Sequence, residues 1–383
     1  MEALGVLQTK LNVWYEDVEI STEVSADLLS CTYTDAIDDE ADEVSITLMD
    51  PHGKWAGRWT PDRGAKISVL YSTENRGYLA TDTMMIDELK TSGSPRVFEF
   101  RAVSIPLNNT IRRTIKTRNF ENLTLQKIAS QIALEAKLTL FWDSENNPNY
   151  DRIDQRQESD LAFLKRLCDE QGLTVKVANE RLIIFDQASY EKKEPVKTLI
   201  LGTSPILSWS FSAQQSERYR KVTVKWRDIK QKTKVEKTKS LKLARANAQN
   251  DDNQSVNMYG SNYSDKDKQS KKGPEKTRAE YVEATFEDPS VEESGQTYVL
   301  KKRCASYAEA ERLAKAKLRE LNLRQTTGSL SLVGDPLMIA GQVIAIVGIG
   351  AMDGNFIIER STHSMTEQGY TTSIEVRRVN RQY

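Results

Sequence analysis

Gly341-Gln342-Val343-Ile344-Ala345-Ile346 echoes Gly64-Ala65-Lys66-Ile67-Ser68-Val69 from the other end of the chain. Two further matches keep the same order. Met84-Met85-Ile86-Asp87-Glu88 matches Phe356-Ile357-Ile358-Glu359-Arg360, and Val97-Phe98-Glu99-Phe100-Arg101 matches Ser373-Ile374-Glu375-Val376-Arg377. Each segment has the two-residue alternation of a strand with one face on a core. Ordered recurrence with altered loop lengths predicts two copies of one β-unit.

The flanking sequence extends the pattern. Val44, Ile46 and Leu48 alternate with Ser45 and Thr47, and Ser92-Gly93-Ser94-Pro95 is turn chemistry. Between the copies the period changes. Leu125, Ile128, Ala129, Ile132, Ala133 and Ala136 have helical spacing, with Thr124 placed to cap. A second helix is predicted from about Asp160 to Glu170, capped by Ser159 and stopped at Gly172. Strands at Thr174 to Val177 and Arg181 to Phe185 read as a hairpin around Asn179-Glu180.

β character returns after Pro195, with Val222, Val224 and Trp226 alternating against polar residues. From about Asp228 to Glu280 the chain is polar and Lys-rich, a composition that buries little. A helix with a Ser306–Glu309 capping box and an Ala310, Leu313, Leu318, Leu321 face follows. The expected class is α+β, mostly β: two β-barrels flanking a small α/β module. The expected division is a barrel over 1–105, the module over 106–194, and a second barrel over 195–383 that carries the polar insertion at about 228–280.

Composition argues against most chemistry. Lys and Arg number 54 against 55 Asp and Glu, a net charge of −1, so no global field draws in nucleic acid or an anionic membrane. Cys31, Cys168 and Cys304 are far apart, without metal-ligand or disulfide spacing. No signal peptide is read at Met1 to Lys10, and the apolar stretch Leu337 to Met352 is too short and interrupted to span a bilayer.

The candidate chemical residues each have a plainer reading. His52 sits in the turn Pro51-His52-Gly53, and His363 in a strand or loop after Arg360; neither lies in a marked catalytic pattern. Asp38-Asp39-Glu40 and Asp42-Glu43 lack EF-hand spacing and read as a solvated loop, the alternative being an acidic channel lining that repels phosphates. Gly348, Gly350 and Gly354 have GxGxxxG spacing with a strand rather than a helix behind them, so a hairpin turn is expected. Lysines across 230–242 and 266–276 have too few interleaved aromatics for a nucleic-acid platform. No catalytic, cofactor or metal residue is assigned.

Two segments go beyond composition. Gln157 to Leu173 resembles the ESD-x-x-FL-x-RL-x-x-E-x-G helix of phage late control protein D and of the hub half of type VI secretion spike proteins. Gly334-Asp335-Pro336-Leu337-Met338-Ile339-Ala340-Gly341 resembles the G-[DN]-P-x-x-x-x-G turn in the last barrel of those hubs. The endings Asp353 to Ile358, His363-Ser364-Met365 and Gly369-Tyr370 fit the same family.

The resemblance implies a homotrimeric baseplate hub, made in the bacterial cytoplasm and built into a phage tail or released contractile particle (tailocin). Such a hub caps the sixfold tail tube, seats a threefold spike and forms a cargo channel. No fused spike repeat follows Arg377, so a separate trimeric spike protein is expected as partner, beside the tail tube protein. Tape-measure and baseplate wedge proteins are further candidates for the polar segment. The implied role is structural, with no enzyme activity, cofactor, nucleic-acid sequence recognition or membrane insertion. The rival reading is a cell-wall-binding or cell-wall-degrading tail component acting through the middle module.

Overall fold

The computed structural model describes residues 8–37, 41–74, 76–104, 110–214, 218–227, 281–289, 291, 295–304 and 306–379. The polar segment 228–280 and Asp38 to Glu40 lie outside them. In chain order the first part contains β1 (Thr9–Tyr15), β2 (Val18–Glu19), α1 (Ser21–Ser25), β3 (Leu28–Ala36), β4 (Glu43–Met49), β5 (Lys66–Thr73), β6 (Gly77–Ala80), β7 (Met84–Ser92) and β8 (Val97–Val103). The middle contains α2 (Thr110–Arg113), β9 (Ile115–Thr124), α3 (Leu125–Glu135), β10 (Thr139–Asp143), β11 (Asn149–Ser159), α4 (Asp160–Gln171), β12 (Thr174–Ala178), β13 (Arg181–Phe185) and α5 (Gln187–Glu191). The last part contains β14 (Lys197–Ile200), β15 (Ile206–Ala213), β16 (Tyr219–Arg227), β17 (Tyr281–Glu287), β18 (Gln296–Lys301), α6 (Tyr307–Asn322), β19 (Thr326–Val333), β20 (Val343–Val347), β21 (Gly354–Thr366) and β22 (Gly369–Arg378). The chain is α+β and mostly β.

One 14-stranded sheet joins the two repeated halves. The first half has the strand order β3-β4-β8-β7-β5-β1 and the second the order β15-β19-β22-β21-β20-β14. These orders correspond strand for strand. The one difference in direction is at the end, where β1 is antiparallel to β5 and β14 is parallel to β20. The repeat read from sequence is therefore a repeat of topology.

The pairing registers refine it. β7 slips against β8 between Ile86 and Glu88, and β21 slips against β22 between Ile358 and Arg360, at matching residues. This places Ala102 with Val376 and Phe100 with Ile374. The third sequence match was thus two residues out of step. A shift of two keeps every side chain on its face, so alternation could not reveal it.

Neither half closes a hydrogen-bonded ring among the described residues, in contrast to the expected barrels. Each half is a curled sheet. Leu11 and Val13 of β1 share a core with Cys31 and Tyr33 of β3, although those strands sit at opposite ends of the order. Leu199 of β14 likewise shares a core with Leu330 and Ile374, against which Ile206 and Phe211 of β15 pack. In the first half the ring stays open because β3 spends its outer edge on the other half, pairing with β21.

The middle module packs α3 and α4 on the sheet β10-β13-β12 and the antiparallel pair β9–β11. Ser159 caps α4 by accepting from the Ala162 N–H, and Gly172 ends the helix at φ 72°. Asn179 and Glu180, at φ 51° and 53°, form the tight turn between β12 and β13. The polar segment joins β16 to β17. With β18 these strands form a separate three-stranded sheet, not part of the second half's sheet as the sequence suggested. Val222, Val224, Trp226 and Ala284 of that sheet pack on Ala310, Leu313, Ala314 and Leu318 of α6.

Candidate assembly interface

The two halves meet on β21. Its first residues, Gly354 to Ile357, pair with β20, and Arg360 to Thr366 then pair on that side with β3. The slip between Ile358 and Arg360 falls at this hand-over, where a bulge turns a strand from one neighbour to the next. The β21–β22 hairpin consequently serves two cores. Phe356, Ile358, Ile374 and Val376 lie in the core of the second half, while Met365 and Tyr370 lie in that of the first. Pulling the halves apart would open both.

Beneath the seam is a buried polar row. The hydroxyl of Ser361 and Nε2 of His363 both face the Met338 carbonyl, His363 at 3.1 Å. A carbonyl only accepts, so Nε2 carries the imidazole proton. Nδ1 then accepts from the Tyr370 hydroxyl, at 2.6 Å. Burial holds this imidazole below its ordinary value, at about 4, against the raising influence of the Met338 carbonyl and of Asp35 and Asp335. It is neutral at pH 7. A Ser–His pair is present, with Ser361 Oγ 2.9 Å from Nε2, but both residues are fully buried, and the nitrogen facing the hydroxyl is the protonated one. It has neither the base nor the access that nucleophilic catalysis needs.

Ion pairs fasten the module to the seam. Lys176 of β12 donates to Asp35 and Asp42 at 2.9 and 2.8 Å and to the Ala36 carbonyl at 2.6 Å. Burial raises the Asp42 carboxyl, opposed by Lys176 and reinforced by Asp35. Glu191 of α5 receives Arg377 of β22 at 2.5 Å and Arg319 of α6 at 2.6 Å. One carboxylate thereby connects the module, the second half and the small sheet's helix. Lys302, just past β18, also pairs with Glu170 of α4.

The residues singled out from sequence do not converge. His52 is exposed in the β4–β5 connection, while His363 is buried at the seam. Asp42 is buried against Lys176, and Glu43 pairs with Arg101 at 3.1 Å, so this end of the acidic cluster is not the solvated loop expected. Gly348 and Gly350 lie in the β20–β21 connection and Gly354 opens β21, a hairpin turn as expected. The three cysteines are buried free thiols. The lysines of 230–242 and 266–276 lie outside the described residues. Sequence reading missed Lys176, Glu191 and Arg377. Alternation puts Arg377 opposite Val376, on the polar face, yet it is buried, paired with Glu191 of α5 and Glu359 of β21.

The face of the seam sheet away from the cores is rich in small polar residues. Thr32 and Ser364 meet there with their hydroxyl oxygens 3.3 Å apart, and Ser45 donates to Glu99 at 3.2 Å. At the end of the sheet, β15 bonds among the described residues only to β19 and exposes Leu207 and Trp209. Among the described residues the arrangement offers edges, joints and a polar face. Among the described residues no helix is long and apolar enough to cross a membrane.

Comparison with known proteins accords with this geometry. Residues 96–369, most of the chain, match the family described as phage tail baseplate hub (GPD). The probable baseplate hub protein of Escherichia phage 186 is 27% identical over 368 residues, covering 94% of this chain and 90% of that protein. A 43 kDa tail protein of prophage MuSo2 from Shewanella oneidensis has the same fold, with a TM-score of 0.65 at 12% identity, over 97% of this chain and 98% of the other. A type VI secretion component of E. coli aligns with a TM-score of 0.52 at 13% identity, over 98% of this chain and 78% of its own. The chain belongs to the phage tail baseplate hub family and is a baseplate hub protein of phage tails.

Proposed function

We propose that this hub works as a homotrimer whose six half-barrels match a sixfold tail tube on one side and a separate threefold spike on the other. The polar face of the sheet would line a channel for cargo. The observation that carries the reading is the internal repeat of strand order, since two similar units in each of three chains give six positions around one axis. The halves then form the ring, the middle module and the small sheet stand outside it, and the expected division near residues 105 and 194 describes that plan. The role is mechanical and non-enzymatic. The protein is made in the bacterial cytoplasm and carried in the tail or contractile particle. The polar segment 228–280 is the region proposed to meet tape-measure or wedge proteins, on the strength of its length and charge.

The test is the mass of the purified protein in solution, alone and with its spike protein. A trimer, or a three-to-three complex, supports the adapter. A monomer in both samples removes it.

A further inference from the structure

A cleft of about 540 Å³ separates the middle module from α6. Clefts of roughly 300–1,000 Å³ are the size that holds a ligand or a short segment of chain. One wall is a face of α6, formed by Arg312, Lys315, Ala316 and Arg319. Their spacing puts all four on one side of the helix. At the base the two units approach closely, because Gly172 at the end of α4 faces Ala316, whose Cβ lies 3.5 Å from where a Cβ on Gly172 would stand.

The α6 wall is cationic. Arg319 is held by Glu191 of α5 at 2.6 Å. Arg312 and Lys315 are exposed, as is Lys192 just past α5 on the opposite wall, and these three meet no carboxylate among the described residues. Lys315 has its ammonium 5.8 Å from the ring centre of Phe286. Neighbouring cations do find acids: Arg166 pairs with Glu158 at 2.6 Å, Lys317 with Glu320 at 2.6 Å, and Lys302 with Glu170. The cleft is therefore a local excess of positive charge. The acids in its lining are Glu145 and Asp186, and Asp186 already accepts from the Ala188 N–H to cap α5.

The layout separates a peptide from other anions. Arg312 and Arg319 lie about 10 Å apart along the helix, with Lys315 between them. Charges strung along a line suit carboxylates on alternate residues of an extended chain, which repeat about every 6.7 Å, better than they suit a single phosphate. The facing wall carries the amides Asn146, Asn147 and Gln171. Amides both donate and accept, as a peptide backbone requires. Glu145 and Asp186 repel a uniformly charged polymer such as nucleic acid, and tolerate a chain whose carboxylates are interspersed.

We infer that this cleft docks an extended, carboxylate-bearing segment of a partner protein, its acidic side chains on Arg312, Lys315 and Lys192 and its backbone on the amides opposite. The docked segment would bridge the middle module and the helix of the small sheet. The lining residues stand apart from the 14-stranded sheet, so the site is independent of the trimeric reading.

The probe is a fluorescein-labelled decapeptide of alternating Glu and Ser, titrated into the full-length hub and followed by fluorescence anisotropy. Arg312→Glu with Lys315→Glu should weaken binding by about tenfold or more, because two attractions become repulsions. Arg152→Glu with Arg156→Glu makes the same change of charge at exposed arginines elsewhere on the module, and should alter binding by less than about twofold. The chain reversed at the cleft should in turn bind a Lys–Ser decapeptide more tightly than the native chain does. Both pairs of substitutions are at exposed positions and should leave the circular dichroism unchanged. On the native chain, a photoreactive residue at the centre of the Glu–Ser peptide should cross-link within residues 145–147, 171–173 or 312–319, located by mass spectrometry. No saturable binding, an affinity indifferent to reversal at the cleft, or cross-links only outside those residues overturns the site. Release of the peptide by inorganic phosphate at constant ionic strength would assign the cleft to a compact anion and overturn the peptide reading.

Discussion

Arg377 has no exposed surface, and its charge is met by Glu191 at 2.5 Å and Glu359 at 3.0 Å. Removing one partner of a buried pair leaves a charge in low dielectric, which costs about 3–5 kcal/mol. Glu191→Gln keeps the shape and removes the charge that Arg377 and Arg319 share, so a loss of that order is expected in urea unfolding. Arg152→Ala, at an exposed pair with Asp154, should cause no measurable change. Equal effects would mean that Glu191 contributes nothing beyond an ordinary surface ion pair. His363 supplies a pH dependence. Its folded value of about 4 lies below the ordinary 6.5, so the unfolded chain binds the proton first. Its contribution is complete above pH 6.5 and is lost as pH falls toward 4, by up to about 3 kcal/mol. Asp42, raised by burial, has the opposite sign, taking up its proton more readily when folded. The informative quantity is therefore the difference in stability-versus-pH slope between the native chain and His363→Gln. No difference between pH 6.5 and 4 would show that the imidazole does not titrate on unfolding.

α4 shows what sequence determines locally and where that ends. Its cap at Ser159, its buried Leu161, Phe163, Leu164 and Leu167, and its stop at Gly172 were all readable, because each depends on neighbours in the chain. Gly172→Ala should cost about 1 kcal/mol. The residue sits at φ 72°, and the new methyl would meet Ala316 at an ordinary 3.5 Å, so the cost is backbone strain rather than a clash. Gly172→Asn should cost less, since asparagine tolerates the left-handed region; equal melting temperatures for all three chains would refute the strain account. Strands β4, β5, β8 and β22 were readable in the same way, from alternation. Their partners were not. β21 pairs with β3 more than three hundred residues away, and no local pattern distinguishes a strand that closes its own barrel from one that crosses to another half. The β16-β17-β18 sheet was hidden for a related reason. Its strands look like any others, and its separate core exists only once α6 packs on it. The buried ion pairs were hidden too, since Lys176, Glu191 and Arg377 look like surface charges until three elements converge on them.

For the assembled molecule, the placement of the polar segment separates folding from assembly. Arg227 and Tyr281 are directly opposite at the ends of the antiparallel β16–β17 pair, so residues 228–280 leave and re-enter the fold at one point. An Asn-Gly turn can join those ends in their present register. Closure entropy grows only slowly with loop length and falls when a loop is shortened, so the unfolding midpoint should be unchanged or higher. The proposed trimer should also persist. β16, β17 and β18 form their own sheet, apart from the 14-stranded sheet of the two halves. What should fall is incorporation into particles, if the Lys-rich segment binds tape-measure or wedge proteins. Tails assembled at the native yield with the shortened hub would remove that role. A lowered midpoint would instead show that the segment supports the small sheet. A normal midpoint, a normal trimer and a loss of assembled tails would place its function between proteins rather than within this one.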